Sequence, residues 1–248
     1  MLNFIKNKIL EKFFTFGDFW DVFGIAFNQN YLIRKELFCN IKSMSKQLSG
    51  TLLDFGCGSK PYQSTIQKWG GVIGYVGCDI ESSGHNHQEE LIDVFYDGKT
   101  LPFENESFDC IFCSEVLEHI FTPDEILKEI NRVLKKNGKI LITVPFVWEE
   151  HEVPFDYARY SSYGIKHLLE KNGFSVIDMR KCGNSVQVIF QLINSNLEKC
   201  ILKIKNLFLR YIMIFLFGMP ITLLGIFFSK ILPKNDKLYF NNIILAQK

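Results

Sequence analysis

The chain has 248 residues, of which 47% are hydrophobic, 15% aromatic and 22% charged. This composition excludes a disordered chain and leaves a globular or membrane-associated protein with one sizeable core. Lysine and arginine together number 28 against 27 acidic residues, which gives a net charge of +1. A global basic field that gathers nucleic acid is therefore excluded.

The predicted elements begin with a helix over Tyr31–Leu48 and alternate between strands and helices from there on. Strands are predicted over Thr51–Phe55, up to Asp79, and over Glu90–Tyr96, Phe108–Cys113, Lys139–Pro145, Phe174–Arg180 and Leu238–Ala246. Helices are predicted up to Trp69 and over Pro123–Leu134 and Ser161–Lys171. This order predicts an α/β fold with a doubly wound, mostly parallel sheet of seven strands.

Three parts are expected along the chain. Residues 1–50 form N-terminal helices, residues 51–184 and 237–248 form the α/β domain, and residues 185–236 form an apolar helical insert. The first sixteen residues lack the continuous apolar run and small-residue cleavage site of a signal peptide.

The seven cysteines are an odd number scattered over predicted strands and helices, which favours free thiols in a reducing compartment. Cys110 and Cys113 stand three positions apart on a predicted strand, so their side chains point to opposite faces and cannot share an ion. His85 and His87 lie in a polar loop without a fixed scaffold. No metal site is predicted.

A glycine turn follows the first strand of the βαβ unit, in the sequence Asp54-Phe55-Gly56-Cys57-Gly58. Such a turn lets backbone amides approach a ligand, and Asp79 at the end of the second strand is placed to accept the hydroxyls of an adenosine ribose. Pro61 stands where the dinucleotide fingerprint has a third glycine or alanine. The pattern therefore favours an adenosine ligand without a pyrophosphate over a nicotinamide dinucleotide.

Several further motifs follow in order, and together they carry a family resemblance. They are Leu53–Gly58, Asp97–Phe103, Ser107–Asp109, Ser114–His119 and Arg132–Gly138. Over Thr51–Cys182 and the final strand the sequence resembles the class I S-adenosylmethionine-dependent methyltransferases, in particular the methyltransferase type 11-like group. The resemblance implies S-adenosyl-L-methionine as the cofactor.

The resemblance also implies which residues contact that cofactor. Asp54, Gly56 and Gly58 would hold the methionine end, Asp79 the ribose and Asp97 the adenine amino group, with Ser114 and Glu115 beneath the sulfonium and Cys57, Ile80 and Gly98 completing the set. Lys60 departs from the family, which often has a third glycine there.

Methyl transfer to a hydroxyl requires a group that takes the proton of the acceptor. His119 and His151 follow the fourth and fifth strands and are the candidate catalytic residues, although a structural role for His119 is equally open. Candidate substrate residues are Glu118, Asp156, Arg159 and Tyr160. Arg159 either pairs with Asp156 or, if unpaired, suits a phosphate of the acceptor.

Tyr211–Phe228 is an apolar stretch without charge, flanked by lysine and arginine on both sides. This pattern predicts a membrane-associated segment at the inner face of the membrane. Gly218 and Pro220 favour a helical hairpin that bends near Gly218-Met219-Pro220 and lies in one leaflet. A buried core helix or a dimer interface is the alternative. Leu2, Ile5, Ile9 and Phe13 recur at helical spacing and extend the same expected surface.

The sequence thus predicts a cytoplasmic, peripheral or monotopic methyltransferase that acts on a hydroxyl of a glycan, lipid-linked or other small-molecule acceptor. A non-catalytic binding or scaffold protein of the same fold is the second hypothesis, and a nicotinamide oxidoreductase the third. The sequence does not indicate the oligomeric state.

Overall fold

The computed structural model describes residues 22–80 and 91–248, which form two compact units. The helical unit contains residues 22–38 and 183–238, and the sheet unit contains residues 39–182 and 239–248, apart from the undescribed segment. The proposed polar loop with His85 and His87, the predicted start of the third strand at Glu90, and the amphipathic start of the chain all lie outside the described residues.

The sheet unit alternates strands and helices, as the sequence predicts. Its strands are β1 (Ser49–Phe55), β2 (Gly71–Ile80), β3 (Val94–Tyr96), β4 (Phe108–Ser114), β5 (Leu134–Pro145), β6 (Ser175–Lys181) and β7 (Asn241–Gln247). Helix α1 (Val22–Phe27) precedes it, and α2 (Tyr31–Ser45) begins in the helical unit and ends in the sheet unit. Helices α3 (Gln63–Trp69), α4 (Pro123–Val133) and α5 (Ser162–Lys171) connect the strands.

The seven strands form one sheet in the order β3-β2-β1-β4-β5-β7-β6. Neighbours from β3 to β5 pair in parallel, whereas β7 pairs antiparallel with both β5 and β6. The predicted α/β fold with a mostly parallel seven-stranded sheet is confirmed. Because parallel strands share their carboxyl ends at one edge, the loops after β1, β2, β4 and β5 meet there.

The core of the sheet unit explains why these segments form strands. Residues 110–113 of β4 and residues 140–145 of β5 are buried and largely apolar, as expected for central strands covered on both faces. Cys110 and Cys113 are both buried in β4, and all seven cysteines are free thiols, as predicted. β5 begins at Leu134, five residues before the predicted start at Lys139. Leu134 pairs with Phe108 of β4, and the register shifts between Phe108 and Cys110, which pairs with Lys139.

The helical unit holds two long antiparallel helices, α6 (Ser185–Leu202) and α7 (Leu207–Ile231). A capping box starts α6, where Asn184 and Gln187 satisfy each other's backbone N–H groups. Across the pair, Phe190 stacks on Phe228.

The predicted hairpin bend near Gly218-Met219-Pro220 is wrong. The chain stays helical through this point, with a π-helical turn over Ile214–Gly218 and Pro220 in the first turn of the α-helical part that follows. A π turn already lacks the i−4 hydrogen bond that a proline would remove, so Pro220 fits without breaking the helix. The reversal lies instead between the end of α6 and Leu207.

Candidate active site

Asp54 is a buried carboxylate near the carboxyl end of β1. It lies opposite Gly77 of β2 in the parallel register, and the Tyr75 hydroxyl donates a hydrogen bond to its Oδ2. Burial raises the pKa of Asp54 to about 7, although the hydrogen bond from Tyr75 favours the ionised form. Asp54 is therefore close to its point of charge change at neutral pH, and a cationic ligand would hold it ionised.

The glycine turn after β1 is tied to the end of β2. Gly56 and Gly58 both have positive φ, at 70° and 46°. A Cβ on Gly56 would overlap Val116, whereas a Cβ on Gly58 would meet no atom within 4 Å, so the turn faces open space at Gly58. The amides of Gly56 and Cys57 donate to the carbonyl of Cys78 at 2.8 and 3.2 Å.

Asp79 is brought beside this turn, as the sequence predicts. Its Oδ2 accepts the amide of Gly58 at 2.8 Å and its Oδ1 accepts the amide of Ile80 at 2.7 Å. β1 and β2 are neighbours in the sheet, so Asp54 and Asp79 lie at the same edge. Asp54, Asp79 and the turn from Gly56 to Gly58 therefore form one site, which we call the cradle.

Lys60, the departure from the family pattern, keeps the backbone conformation that a glycine would supply. Its φ is 53°, in the left-handed region. Its ammonium pairs with Asp93, which also accepts the amide of Gly77 at 2.6 Å. A Cβ on Gly77 would overlap the lysine side chain, so that glycine makes room for it. The lysine therefore fastens the turn to β2 and to the segment before β3.

Asp97 and Gly98 follow β3 at the same edge. Asp97 is exposed, and its Oδ1 accepts the amides of Lys99 and Thr100 at 2.8 Å each, which lowers its pKa. A Cβ on Gly98 would lie 3.0 Å from Cδ1 of Ile80. Ile80 and Gly98 therefore border the same space beyond the ends of β2 and β3.

Ser114 and Glu115 join a buried polar network at the end of β4. Ser114 Oγ lies 2.8 Å from Thr143 Oγ1, which donates to Glu115 Oε1 at 2.7 Å. Asn241 donates to Glu115 Oε2 at 2.8 Å. Burial raises the pKa of Glu115 to about 7, although both hydrogen bonds favour its ionised form. The network fixes Glu115, whose φ is 56°, at the mouth of the cradle.

Glu118, His119 and His151 form a second cluster at this edge, within 4.8 Å of one another through one candidate ligand atom each. Glu118 is 0% exposed, and neither of its oxygens has a hydrogen-bond partner. Burial, and next the Glu115 carboxylate, raise the pKa of Glu118 well above its usual range. The imidazole rings are perpendicular, with centroids 4.7 Å apart. The two candidate catalytic residues are thus neighbours, although 32 positions of sequence separate them.

Asp156 and Arg159 form an ion pair, one of the two roles that the sequence left open for the arginine. Both guanidinium nitrogens Nη1 and Nη2 contact the carboxylate, with Nη2 at 2.7 Å from Oδ2. The pair keeps the pKa of Asp156 well below its usual range. Asp156 Oδ2 also accepts the amide of His151 at 2.9 Å, so the pair shapes the loop that carries this histidine. The Tyr160 hydroxyl donates to the carbonyl of Leu117 at 3.3 Å.

Sequence reasoning missed Tyr75, which contacts Asp54, and Thr143 and Asn241, which contact Glu115. Tyr75 and Thr143 sit inside strands, where the local pattern gives no sign of a partner in another strand. Asn241 gives a weak signal, because two consecutive asparagines begin an otherwise apolar strand. The antiparallel pairing of β7 places this strand start beside the carboxyl end of β5.

Comparison with known proteins shows which protein domains this chain resembles. A family model described as a methyltransferase domain matches residues 53–142. Over this segment the chain is similar to methyltransferase domains, and its sheet has the fold of the class I S-adenosylmethionine-dependent methyltransferases. The matched segment runs from β1 to β5 and contains both carboxylates of the cradle and Glu118.

Curated relatives share the same region. The chain is 28% identical to a ubiquinone biosynthesis O-methyltransferase of Pasteurella multocida, over 56% of this chain and 64% of that protein. It is 32% identical to a demethylmenaquinone methyltransferase of Staphylococcus haemolyticus, over 47% of this chain and 51% of that protein. The chain thus spans less than two thirds of the length of these relatives.

A solved structure of similar fold is phosphoethanolamine N-methyltransferase 2 of Haemonchus contortus in complex with S-adenosyl-L-methionine. It superposes with a TM-score of 0.52 at 21% identity, covering 87% of this chain and 52% of that one. S-adenosylmethionine is the cofactor of the family. The cradle fits this ligand, because Gly58 faces open space and the two buried carboxylates suit its hydroxyls and its ammonium.

Proposed function

We propose that this protein transfers a methyl group from S-adenosylmethionine to a hydroxyl of a small, apolar acceptor at a membrane surface. The observation that carries this proposal is the position of the Glu118–His119–His151 cluster at the same sheet edge as the cradle of Asp54, the glycine turn and Asp79. One edge thus offers a cofactor site and proton-handling groups side by side.

Residues of the cradle divide the cofactor between them in this proposal. Asp79 accepts the ribose hydroxyls, while Asp54 and the turn from Gly56 to Gly58 hold the methionine end, where Asp54 pairs with the ammonium. Ile80, Asp97 and Gly98 border the adenine, and Ser114 and Glu115 lie beneath the sulfonium. When bound, the cofactor supplies an activated methyl group, so the chain needs to position the acceptor in line and exclude water.

Removal of the acceptor proton falls to the Glu118–His119–His151 cluster. His119 is oriented through its Nδ1, which lies 2.8 Å from the carbonyl of Phe155. His151 is oriented by the Asp156–Arg159 pair through its own backbone amide. A group that takes a proton from a hydroxyl in the transition state contributes about 10²–10⁴-fold to the rate.

The helical unit supports the membrane part of the proposal, because α7 buries mostly small or polar residues and exposes large apolar ones. The residues of α7 that are buried are Ile214, Gly218, Thr222 and Gly225, mostly small or polar. Thr222 accepts a hydrogen bond from Asn194 of α6 at 2.8 Å. Small residues and interhelical hydrogen bonds at the packed face are typical of helices in lipid.

Large apolar side chains occupy the outer face of α7. They are Phe208, Leu209, Phe215, Leu216, Phe217, Leu223, Leu224, Phe227 and Ile231. Among the described residues, α7 is the one helix long and apolar enough to cross a membrane by length and composition. Lysines and arginines near both of its ends, from Lys203 to Arg210 and at Lys230 and Lys234, suit anionic headgroups on one side. We place α7 along the membrane interface, since α6 carries polar residues that a spanning hairpin would bury in lipid.

The acceptor class follows from the membrane surface and from the relatives. Those relatives are named for ubiquinone biosynthesis and demethylmenaquinone methylation. We therefore favour a hydroxyl on the ring of a lipid-soluble, quinone-related acceptor over a glycan hydroxyl.

A transfer assay tests this proposal. The protein is incubated with S-adenosylmethionine labelled in its methyl group and with two extracts, total membrane lipids and water-soluble glycans. Label that appears in the lipid fraction as a product heavier by one methylene supports the proposal. Label in the glycan fraction would indicate a glycan acceptor in place of a quinone-related one. Calorimetry with S-adenosylmethionine tests the remaining alternative, because the absence of binding heat would point to a non-catalytic protein of the same fold.

A further inference from the structure

The sheet edge beside the cradle contains a buried carboxylate without a hydrogen-bond partner among the described residues. Glu118 is 0% exposed, and both of its oxygens lack a hydrogen-bond partner. Leaving a buried polar group unpaired costs about 1–3 kcal/mol, and more for a charged one. Glu115 avoids this cost through its hydrogen bonds from Thr143 and Asn241.

His119 presents a second unpartnered atom to the same place. Its Nε2 is buried without a hydrogen bond and lies 3.9 Å from Oε1 of Glu118. Its other nitrogen, Nδ1, is held by the carbonyl of Phe155 at 2.8 Å. A backbone carbonyl on one ring nitrogen is the usual support of a histidine that binds a metal ion through the other, since it fixes the tautomer and the ring plane.

His151 is anchored in the same manner. Its Nδ1 lies 3.2 Å from the carbonyl of Glu149 and 3.4 Å from Oδ2 of Asp156. Arg159 lies 3.4 Å from the same nitrogen, but its charge is paired with Asp156 and its Nη2 donates to the carbonyl of Glu149 at 2.7 Å. The guanidinium is thus engaged by two acceptors of its own, Asp156 and the carbonyl of Glu149.

From this convergence we propose that Glu118, His119 and His151 bind a divalent transition-metal ion, of which zinc is the representative. Two imidazoles and one carboxylate are the donor set of an open catalytic site, with a position left for an oxygen ligand. The set is too rich in nitrogen for magnesium or calcium, which prefer oxygen. The proposal departs from the sequence-based expectation of no metal, which considered other cysteines and histidines.

Geometry allows this ion with small movements. The three ligand atoms lie within 4.8 Å of one another, and ligands of a tetrahedral zinc ion at about 2.0–2.2 Å lie roughly 3.3 Å apart. Rotation of the imidazoles by about an ångström at their tips closes the difference. Glu152, whose Oε2 lies 3.6 Å from His119 Nε2, adds negative charge at the rim.

The ion would serve the proposed methyl transfer, and this part of the inference rests on the proposed function. A hydroxyl that coordinates the ion loses its proton near neutral pH, since a bound metal lowers the pKa of an oxygen ligand. With the ion bound, the cluster would promote removal of the acceptor proton through the metal and not as a free base: the proton would leave to solvent, and the acceptor oxygen would attack the methyl carbon as its bond to the sulfonium sulfur breaks.

Metal titration of the full chain tests the site without reference to turnover. The protein is stripped with EDTA, desalted and titrated with CoCl2 while the visible spectrum is followed, and with ZnCl2 in a calorimeter. We expect one ion per chain and a cobalt spectrum of a site with nitrogen ligands. His151→Ala and Glu118→Gln should each weaken binding by at least about tenfold.

Matched variants keep the result interpretable. His167→Ala removes an exposed histidine of α5 in the same unit and should bind cobalt like the wild type. His151 lies in a half-exposed loop, so its variant remains informative if Glu118→Gln does not fold. A wild type that gives no cobalt spectrum, or a His151→Ala variant that binds as tightly as wild type, overturns the proposal. A normal cobalt spectrum together with no methyl transfer would support the metal site and contradict the proposed function alone.

Discussion

The sheet unit and the helical unit of this protein arrange polar and apolar residues in opposite ways. In the sheet unit the strands bury apolar side chains, and polar groups collect where the strands end. In the helical unit the contact between α6 and α7 contains Asn194, Thr222 and Gly225 beside the Phe190–Phe228 stack, while most large apolar side chains of α7 are exposed. The first pattern suits water and a polar ligand, and the second suits lipid.

The largest effect on the rate is expected from a substitution in the Glu118–His119–His151 cluster. His119→Asn should lower the rate of methyl transfer by about 10²–10⁴-fold while the affinity for S-adenosylmethionine stays within twofold. Label transferred to the lipid extract and calorimetry measure the two quantities. His167→Asn is the control. If His119→Asn weakens cofactor binding as much as it slows transfer, the role of His119 is structural, through its contact with Phe155.

Asp79→Ala tests the cradle itself. Loss of two hydrogen bonds to a charged carboxylate, at about 1.5 kcal/mol each, predicts an affinity for S-adenosylmethionine about 100-fold weaker in calorimetry. Asp178→Ala removes an exposed carboxylate paired with Arg180 on β6 and should bind normally. Equal binding by Asp79→Ala and wild type would remove the carboxylate from the cofactor site.

Charged substitutions on the exposed face of α7 test whether the helical unit binds a membrane. Leu216→Glu with Phe227→Glu should reduce flotation with vesicles of phosphatidylglycerol and phosphatidylethanolamine by tenfold or more, because burying one such side chain contributes about 1.5–3 kcal/mol. Ile73→Glu is the matched control, since Ile73 is an 88% exposed apolar residue of the sheet unit. A wild type that stays at the bottom of the gradient contradicts the membrane proposal.

The buried Asp54 predicts a pH dependence of cofactor binding. Its pKa is raised to about 7, so the acid is mostly neutral at pH 6 and mostly ionised at pH 8. An ammonium ligand binds the ionised form, so affinity should rise about tenfold from pH 6 to pH 8, with proton release visible in buffers of different ionisation enthalpy. Asp54→Asn should bind more weakly and without this slope. A slope that persists in Asp54→Asn assigns the titration to another group.

The same shift affects the stability of the protein without cofactor. Because the folded pKa of Asp54 lies above its unfolded value, the folded state binds the extra proton between the two values, and unfolding free energy falls as pH rises from about 4 to 7. Asp54→Asn should flatten this part of the profile in urea titrations.

Lys60→Gly is expected to have the smallest effect. The substitution removes the strain of a left-handed lysine, worth about 1–2 kcal/mol, and also the ion pair with the half-exposed Asp93, worth about 1 kcal/mol. Thermal unfolding should shift upward by a few degrees or not at all, and cofactor affinity should stay within threefold. A loss of affinity beyond tenfold would mean that Lys60 contacts the cofactor directly.

The sequence by itself determined the α/β fold, the order of strands and helices and the cradle, because these depend on local periodicity and on short motifs such as Asp54–Gly58. Glu118 and His119 were also visible as neighbours in one motif. It determined the apolar character of Tyr211–Phe228 as well, since a run of uncharged residues needs no partner to be recognised.

Only the tertiary structure decided what the polar side chains face. His151 reaches His119, and Asn241 reaches Glu115, because the ends of distant strands meet at one edge of the sheet, and no local pattern records that meeting. The continuation of α7 through Pro220 also depended on context, since the π turn before it and the packing of Thr222 against α6 outweigh the usual tendency of proline to end a helix.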